Sequence, residues 1–320
     1  MPPGLALVTD VTVDAAADMI RPELTVNELS VSGACGMILA QNTAGCCYVL
    51  YHGQQLDSRE ERRKKRMQPF VELAGLTVRL GGQTVFRRLE LELKKGMSYA
   101  LIGKSGIGKS TLLNVIAGFI QPAEGRVAVD GAAVLRPRRG TAFLMQELGL
   151  FPWQTVYETV LMPLRLSGQR DTGAVQRNKV MQLLREMELD TLSDKYPHEL
   201  SGGQRQRAAL ASTLIGEPDF LLMDEPTSSL DSVTKHAMQD LMLAQLQQRQ
   251  TTMLMVTHDI EEAVMMGEHI LLLRGQGKIE SRSNPFYGCA NPREQLGFYE
   301  TCISIRQWMN AERSEYATAD

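Results

Sequence analysis

The feature that most constrains this chain is a glycine-rich loop at residues 103–110, which lies between a short apolar segment and a helix-forming segment. Its sequence, Gly-Lys-Ser-Gly-Ile-Gly-Lys-Ser, matches the pattern G-x-x-x-x-G-K-[ST]. Glycines in such a turn let backbone N–H groups approach phosphate oxygens, and the N-terminus of the following helix favours the negative charge. Lys109 can reach the β- and γ-phosphates of a nucleotide, and the Ser110 hydroxyl is the kind of oxygen ligand that Mg²⁺ prefers. The loop therefore predicts a nucleotide-binding α/β fold.

Strand and helix patterns alternate regularly from residue 70 onwards. Two antiparallel strands are predicted at residues 70–80 and 84–93, joined by a Gly81-Gly82 turn. Further strands are predicted at 98–102, 141–145, 220–223, 253–257 and 269–273, and helices at 110–117, 201–214, 232–248 and 260–266. This alternation predicts a mainly parallel sheet with helices on both faces. Helical patterns at 156–199 predict a helical subdomain inserted between strands.

The two ends of the chain differ from this central part. Residues 1–66 lack sustained periodicity and end in a charge run at 59–66, which is typical of a poorly ordered extension. A sharper hypothesis is that the native chain starts at Met67, so that residues 1–66 are not translated; an intact mass of 35.5 kDa from the native host would refute it. We assign residues 67–280 to one domain, with its helical subdomain at about 147–215, and residues 281–320 to a short helical tail.

Composition limits the classes of function. The net charge of −3 gives no basic bias towards nucleic acid, so no nucleic-acid partner is expected. Five cysteines without zinc-type spacing indicate reduced thiols. The most apolar stretch, at residues 34–51, contains polar residues and glycines and is interpreted as not spanning a membrane.

Two carboxylates, Asp224 and Glu225, follow the apolar strand predicted at residues 220–223. Ligands of open parallel sheets bind at the carboxyl ends of the strands. Asp224 is thus placed to hold Mg²⁺, and Glu225 is placed to orient or deprotonate an attacking water. Alone, this pair would more simply be a surface turn, and the phosphate loop is what favours the catalytic interpretation.

Four further motifs appear in a fixed order along the chain. They are Gln146 after a strand, the run Leu200-Ser201-Gly202-Gly203-Gln204, the run Ser229-Leu230-Asp231, and His258 after a strand. Together with the loop and the carboxylate pair, they make residues 70–273 resemble the ATP-binding cassette (ABC) ATPases. The resemblance implies a P-loop NTPase (RecA-like) core with an N-terminal antiparallel β subdomain and an inserted α-helical subdomain.

The resemblance also implies a role for each motif residue. Catalysis would fall to Glu225, His258 and Gln146, and Mg²⁺ binding to Ser110, Gln146 and Asp224. The residues implied in binding ATP are Gly103, Lys104, Ser105, Gly106, Ile107, Gly108, Lys109, Ser110, Thr111, Ser201, Gly202, Gly203, Gln204 and Asp231. In this family the Ser201–Gln204 signature of one subunit closes over the nucleotide of another, so a chain with one copy of each motif is half of a two-ATP machine.

The implied partners are a second copy of the chain, transmembrane permease subunits and an extracytoplasmic solute-binding protein, with this chain at the cytoplasmic face of the membrane. The run Phe151-Pro152-Trp153 and the run from Thr257 to Ala263 resemble ATPases of nitrate, sulfonate and taurine importers. The run Pro226-Thr227-Ser228-Ser229 differs from that group, so an exporter or another importer stays open. Less favoured alternatives are a soluble ABC ATPase acting on DNA or ribosomes, and a GTPase or kinase that shares only the loop.

Two positions leave alternatives that the sequence does not decide. The family usually stacks an aromatic residue on adenine at the position of Leu80, so adenine recognition is expected to be weaker here, unless Phe70 or Phe86 substitutes. The apolar residues at 148–153 fit either ordinary core or the groove that receives a permease helix.

Overall fold

A computed structural model describes residues 29–32, 37–41, 47–51, 69–167, 173–289 and 291–311. The chain divides into two units, Met1–Gln68 and Pro69–Asp320. In the first unit, strands β1 (Leu29–Ser32), β2 (Met37–Gln41) and β3 (Cys47–Tyr51) form an antiparallel sheet that the sequence patterns did not predict. The rest of residues 1–66 lies outside the described residues, so the poorly ordered extension and the start at Met67 stay predictions.

A six-stranded sheet is the centre of the second unit. Its strand order is β13-β12-β6-β11-β10-β9, parallel except for β13 at the edge. The strands are β6 (Ser98–Ile102), β9 (Thr141–Leu144), β10 (Phe220–Asp224), β11 (Thr252–Val256), β12 (His269–Leu273) and β13 (Ile279–Ser283). The inner strands are apolar on both faces because helices or a second sheet cover each face.

The second sheet is antiparallel, with the order β5-β4-β7-β8. It contains β4 (Val71–Leu80), β5 (Gln83–Leu93), β7 (Glu124–Val129) and β8 (Ala132–Ala133). The predicted hairpin is confirmed, and both of its turn glycines have positive φ. Strand β7 was not predicted, because only its second half is buried and its first half shows no apolar alternation.

Seven α-helices are present in the described part of the second unit. They are α1 (Lys109–Ala117), α2 (Val156–Leu166), α3 (Gly173–Glu186), α4 (Gly202–Leu214), α5 (Ser232–Arg249), α6 (Ile260–Met266) and α7 (Leu296–Asn310). Helices α2, α3 and α4 contact one another and form the helical region between β9 and β10. This is the inserted helical subdomain that the resemblance implied.

The core has two apolar layers, one on each face of the central sheet. Ile102, Met223 and Met255 belong to one layer, whereas Leu101 and Leu222 belong to the other. Successive residues of one strand point to opposite faces, so each central strand contributes to both layers. The sheet is therefore held on both faces, and the loops at its carboxyl edge start from fixed positions.

The C-terminal segment contains both a strand and a helix. Strand β13 runs past residue 280, where the sequence analysis ended the domain, and pairs with β12. Helix α7 packs on α6 through Phe298, Cys302 and Ile305, which recur at helical spacing and are buried. Among the described residues, no helix has both the length and the apolar composition that crossing a bilayer requires.

Candidate functional site

The phosphate loop joins β6 to α1, as its sequence predicted. Gly108, which caps α1, has a φ of 105°, a conformation that only glycine adopts readily. A Cβ atom at Gly108 would lie 2.7 Å from Val85 Cγ1 and 2.8 Å from Phe86 Cζ. Both the backbone geometry and the close approach of β5 therefore require glycine at this end of the loop.

Lys109 is the first residue of α1, and only 8% of it is exposed. Its Nζ donates hydrogen bonds of 3.0 Å to the carbonyl oxygens of Gly103 and Lys104. Burial lowers the pKa of Lys109, while the charges of Glu225 and Asp224 act in the opposite direction. The ammonium group thus bridges the start of the loop and lies close enough to both carboxylates to feel their charge.

Asp224 ends β10 next to the loop. Burial raises the pKa of Asp224, and a hydrogen bond from Ser110 partly offsets that rise. Its Oδ1 atom is buried and has no hydrogen-bond partner among the described residues. A buried oxygen without a partner beside a serine hydroxyl fits a Mg²⁺ site, since Mg²⁺ is usually bound by one or two side-chain oxygens together with phosphates and waters.

Glu225 and His258 lie side by side at the same edge of the sheet. Glu225 has a φ of 48°, which is unusual for a residue other than glycine and is typical of functional sites. Its backbone N–H donates to Val256 O at 2.9 Å, so the residue is tied to the end of β11. The Nδ1 atom of His258 lies 3.1 Å from Glu225 Oε1. The pair forms a polar, partly exposed surface beside the phosphate loop.

Gln146 follows β9, which pairs with β10, and it is exposed at the same edge of the sheet. The structure brings together Lys109, Ser110, Asp224, Glu225 and His258, and among the described residues it shows no hydrogen bond from the Gln146 side chain to this group. The metal-binding and catalytic roles of Gln146 stay predictions.

The signature run lies at the start of α4, which packs against the segment around Asp231. Ser201 caps α4: its Oγ accepts from the N–H of Gln204, whose side chain accepts from the N–H of Ser201. A Cβ atom at Gly203 would lie 2.5 Å from Thr234 Cγ2, so α4 and α5 approach closely only with glycine there. Asp231 caps α5, and hydrogen bonds from Thr234 and Val233 lower its pKa.

The signature and the phosphate loop remain separate in this one chain. Within the described part of the chain, no hydrogen bond joins residues 201–204 to residues 103–110. Ser201 is exposed, so its hydroxyl is accessible to another molecule. This placement is the one expected if the signature acts on a nucleotide held by a different subunit.

The two positions with open alternatives are partly decided by burial. Leu80 is exposed at the tip of the β4–β5 hairpin. Leu148 and Leu150 pack against the core, whereas Phe151 and Trp153 are exposed and stack with their ring centroids 5.2 Å apart. The core interpretation of the 148–153 run is thus correct for its leucines and wrong for its aromatic residues.

Sequence reasoning missed a set of polar residues behind the catalytic loops. Glu262 is buried and accepts hydrogen bonds from the hydroxyls of Thr227 and Thr257. Lys235 pairs with Asp259, next to His258. The signal available in the sequence was a carboxylate, Glu262, followed by the apolar residues 263–266 in a short helix.

Known proteins match this chain over the same region. The family model described as "ABC transporter" matches residues 86–228. The uncharacterized ABC transporter ATP-binding protein YtlC of Bacillus subtilis is 41% identical over 60% of this chain and 74% of that protein. The aliphatic sulfonates import ATP-binding protein SsuB of the same species is 40% identical, covering 61% and 75%. The taurine import ATP-binding protein TauB of Ruegeria pomeroyi is 39% identical, covering 58% and 69%.

A solved structure gives the same assignment. A dimeric ATP-binding cassette in a post-hydrolysis state, bound to ADP and Pi, is 30% identical with a TM-score of 0.60, covering 67% of this chain and 98% of that one. Fold and site define a P-loop nucleotide-binding ATPase, and the predicted fold class is confirmed. The chain belongs to the ABC transporter family: it is an ATP-binding subunit that hydrolyses ATP. This membership rules against the GTPase or kinase alternative.

Proposed function

We propose that this chain powers the import of a small solute through separate permease subunits, working in pairs at the cytoplasmic face of the membrane. The observation that carries the proposal is the division of the site within one chain. Lys109, Asp224, Glu225 and His258 meet at one edge of the sheet, whereas the Ser201 signature is exposed elsewhere. The residues at the sheet edge of one copy need the signature of a second copy to complete the site.

The first half holds the nucleotide. Backbone N–H groups of residues 103–110 and the N-terminus of α1 face the β- and γ-phosphates. Lys109 exchanges its bonds to loop carbonyls for bonds to phosphate oxygens, which offsets the cost of its burial. Gly103 to Thr111 are thereby the nucleotide-binding residues of the proposed site.

Ser110 and Asp224 would hold the Mg²⁺ ion that accompanies ATP. When bound, the ion neutralises charge on the β- and γ-phosphate oxygens. The unpartnered Oδ1 of Asp224 supports this role, because a buried carboxylate oxygen without a hydrogen bond costs free energy that a cation removes.

Glu225 and His258 act on the attacking water and the γ-phosphate. Glu225 orients the water and accepts its proton, for which its partly exposed carboxylate is suitably placed. His258 donates a hydrogen bond to the γ-phosphate as charge develops there, and its contact with Glu225 fixes the ring. Gln146, which follows the neighbouring strand β9, would supply a further side-chain oxygen to the attacking water and to the ion.

The second copy supplies the signature. The N–H groups at the start of α4 and the Ser201 hydroxyl bind the γ-phosphate from the far side, with Gly202, Gly203 and Gln204 forming that helix start. Asp231 lies on the neighbouring cap and faces the same interface. ATP therefore joins two subunits, and hydrolysis releases them.

The relatives support the direction of transport and the class of solute. SsuB and TauB are named for the import of aliphatic sulfonates and taurine, which share a sulfonate group. We propose a small anionic solute of the nitrate, sulfonate and taurine kind, delivered by an extracytoplasmic solute-binding protein. The exposed Phe151 and Trp153 give the permease a place to dock.

The decisive experiment is Glu225→Gln. Glutamine keeps the shape but accepts no proton from water, so ATP stays bound and holds two copies together. With ATP and Mg²⁺, light scattering coupled to size exclusion is expected to show a dimer and no turnover. Glu261→Gln, a matched change at an exposed glutamate on α6, keeps turnover and leaves no stable dimer. A Glu225→Gln protein that turns over ATP at the wild-type rate would refute the assignment.

A further inference from the structure

A buried carboxylate lies directly behind the catalytic edge of the sheet. Glu262, on α6, is only 2% exposed. Its Oε1 atom accepts hydrogen bonds from Thr227 Oγ1 and, at 3.4 Å, from Gln239 Nε2, and its Oε2 atom accepts one of 2.5 Å from Thr257 Oγ1. None of the roles assigned above uses this side chain.

The two threonines belong to the two catalytic loops. Thr227 lies two residues after Glu225, and Thr257 immediately precedes His258. Both threonines are buried, so their hydroxyls have no access to bulk water. A single carboxylate thus contacts both of the loops that carry the residues acting on the γ-phosphate.

The backbone ladder ends just where this contact begins. Strands β10 and β11 pair in register up to Asp224 and Val256, and the last backbone bond runs from Glu225 N to Val256 O at 2.9 Å. Beyond that point, no backbone hydrogen bond joins residues 226–231 to residues 257–259. The Thr227–Glu262–Thr257 bridge then takes over from the ladder and sets the spacing of the loops.

The loop that carries His258 has further hydrogen bonds, which involve Thr257 and Asp259. The N–H of Asp259 donates to Thr257 Oγ1 at 3.0 Å, and the Asp259 carboxylate pairs with Lys235 on α5. Asp259 also caps α6, the helix that carries Glu262. The loop is therefore held on both sides of His258.

Burying a carboxylate costs free energy, so a bridge of this kind is a poor means of stabilising the fold. Replacing buried ionic or polar groups by apolar residues of similar volume is often neutral or stabilising. A satisfied network, however, fixes one arrangement in a way that apolar packing does not. The free-energy cost of burying Glu262 is explained if Glu262 sets the position of the loops and does not serve the stability of the fold.

We propose that Glu262 is a positioning residue for ATP hydrolysis: by binding Thr227 and Thr257 together, it holds Glu225 and His258 in the 3.1 Å arrangement that acts on the γ-phosphate. Glu262 acts through the two loops and not on the reacting atoms. In the described part of the chain, its hydrogen bonds go to Thr227, Gln239 and Thr257 and not to the proposed nucleotide-binding residues 103–111. Loss of the bridge therefore lowers the rate of the chemical step and leaves ATP affinity in place.

The test compares Glu262→Leu with Glu262→Gln. Leucine removes both acceptors, and we expect kcat to fall about tenfold or more, which corresponds to about 1.4 kcal/mol, while KM and the Kd for ATP stay within about twofold of wild type. Glutamine can accept from one threonine and donate to the other, so kcat is expected to stay within about threefold of wild type. This rescue separates hydrogen bonding from mere packing.

Single-hydroxyl variants and a stability control complete the design. Thr227→Val and Thr257→Val each lower kcat, and either change has little further effect in the Glu262→Leu protein, since the bridge is already broken. If Glu262→Leu does not fold, the two threonine variants still test the bridge. Asn284→Leu is the control, because Asn284 is buried and donates to Val264 O and Gly267 O at the other end of α6. We expect it to lower the melting temperature and leave kcat per folded molecule unchanged.

Two results would overturn the proposal. One is wild-type kcat in Glu262→Leu, or in both threonine variants. The other is a joint loss of kcat and ATP affinity that follows the folded fraction equally in Glu262→Leu and Asn284→Leu. Wild-type turnover, measured alongside, keeps either result separate from the ATPase assignment itself.

Discussion

At the scale of single residues, the two aspartates of the site have opposite environments. Burial raises the pKa of Asp224, whereas hydrogen bonds from Thr234 and Val233 lower the pKa of Asp231. An ionised Asp224 therefore destabilises the metal-free fold, and an ionised Asp231 stabilises it. This contrast supports the proposed cation site at Asp224, whereas Asp231 is a helix cap.

Asp224→Asn is expected to raise the melting temperature of the nucleotide-free protein at neutral pH while abolishing Mg²⁺-dependent hydrolysis. Because the folded-state pKa of Asp224 is raised, its stability cost is complete above that pKa. The cost disappears as the pH falls below the ordinary aspartate pKa, where the group is protonated in both states. The gain should shrink accordingly in melting curves taken from neutral to acid pH; each kcal/mol gained corresponds to about 2–4 °C.

Asp231→Ala is expected to change the stability of the protein in the opposite direction to Asp224→Asn. The lowered pKa of Asp231 means that its contribution to stability is present above the ordinary aspartate pKa and lost as the pH falls through the folded-state value. This variant should melt lower than wild type at neutral pH, with the difference closing in acid. A pH-independent gain in Asp224→Asn would show that burial of its charge is not the cause.

At the scale of elements, α2 and α4 begin with the same capping box. Thr155 and Glu158 cap α2 as Ser201 and Gln204 cap α4. The two caps are chemically alike, but only that of α4 belongs to the signature. The chain therefore offers a matched pair that separates the stability of a helix start from its function.

Ser201→Arg is expected to bind ATP like wild type and to lose cooperative hydrolysis. A bulky cation at a helix N-terminus opposes the dipole and fills the space for the partner's phosphate. The measurements are the Kd for ATP and the dependence of turnover on protein concentration. Ser201→Ala and Thr155→Ala should each cost about 1 kcal/mol of stability, and Thr155→Ala should keep wild-type turnover. Cooperative turnover in Ser201→Arg would contradict action between subunits.

At the scale of the whole molecule, we propose that the exposed pair Phe151 and Trp153 is the surface that meets the permease. Trp153 is 68% exposed and stacks on Phe151, while Leu148 and Leu150 of the same segment pack against the core. An apolar surface that the described residues leave exposed is typical of a binding site. In the chain, the pair follows β9 and Gln146 by only a few residues.

Trp153→Ala is expected to uncouple hydrolysis from transport. Because the side chain is exposed, melting temperature and basal turnover of the isolated subunit should stay close to wild type. Loss of an anchor at an interface can cost about 2 kcal/mol or more, so assembly with the permease and solute uptake should fall. Phe119→Ala, at an exposed aromatic residue elsewhere, is the control and should leave assembly intact. Normal uptake by Trp153→Ala would refute this docking surface.

Much of the fold followed from local sequence patterns, and strand β7 shows why the rest did not. The apolar runs at β6, β10, β11 and β12 predicted buried strands because a parallel strand covered on both faces is apolar throughout. Strand β7 escaped notice because its exposed half carries no apolar alternation. Its place is set by pairing with β4, a segment far away in the chain.

The sequence by itself determined the chemistry of this protein. The spacing of the phosphate loop, the strand that precedes it and the order of the later motifs predicted an ATP-binding subunit of this family, since a phosphate loop is made of consecutive residues whose backbone geometry is local. Only the tertiary structure decided which residues act together. The contact of Glu225 with His258, the bridge from Glu262 to both catalytic loops and the exposure of Trp153 depend on segments distant in sequence. Periodicity reports which face of one element is buried, whereas the partner on that face is chosen by the packing of the whole sheet.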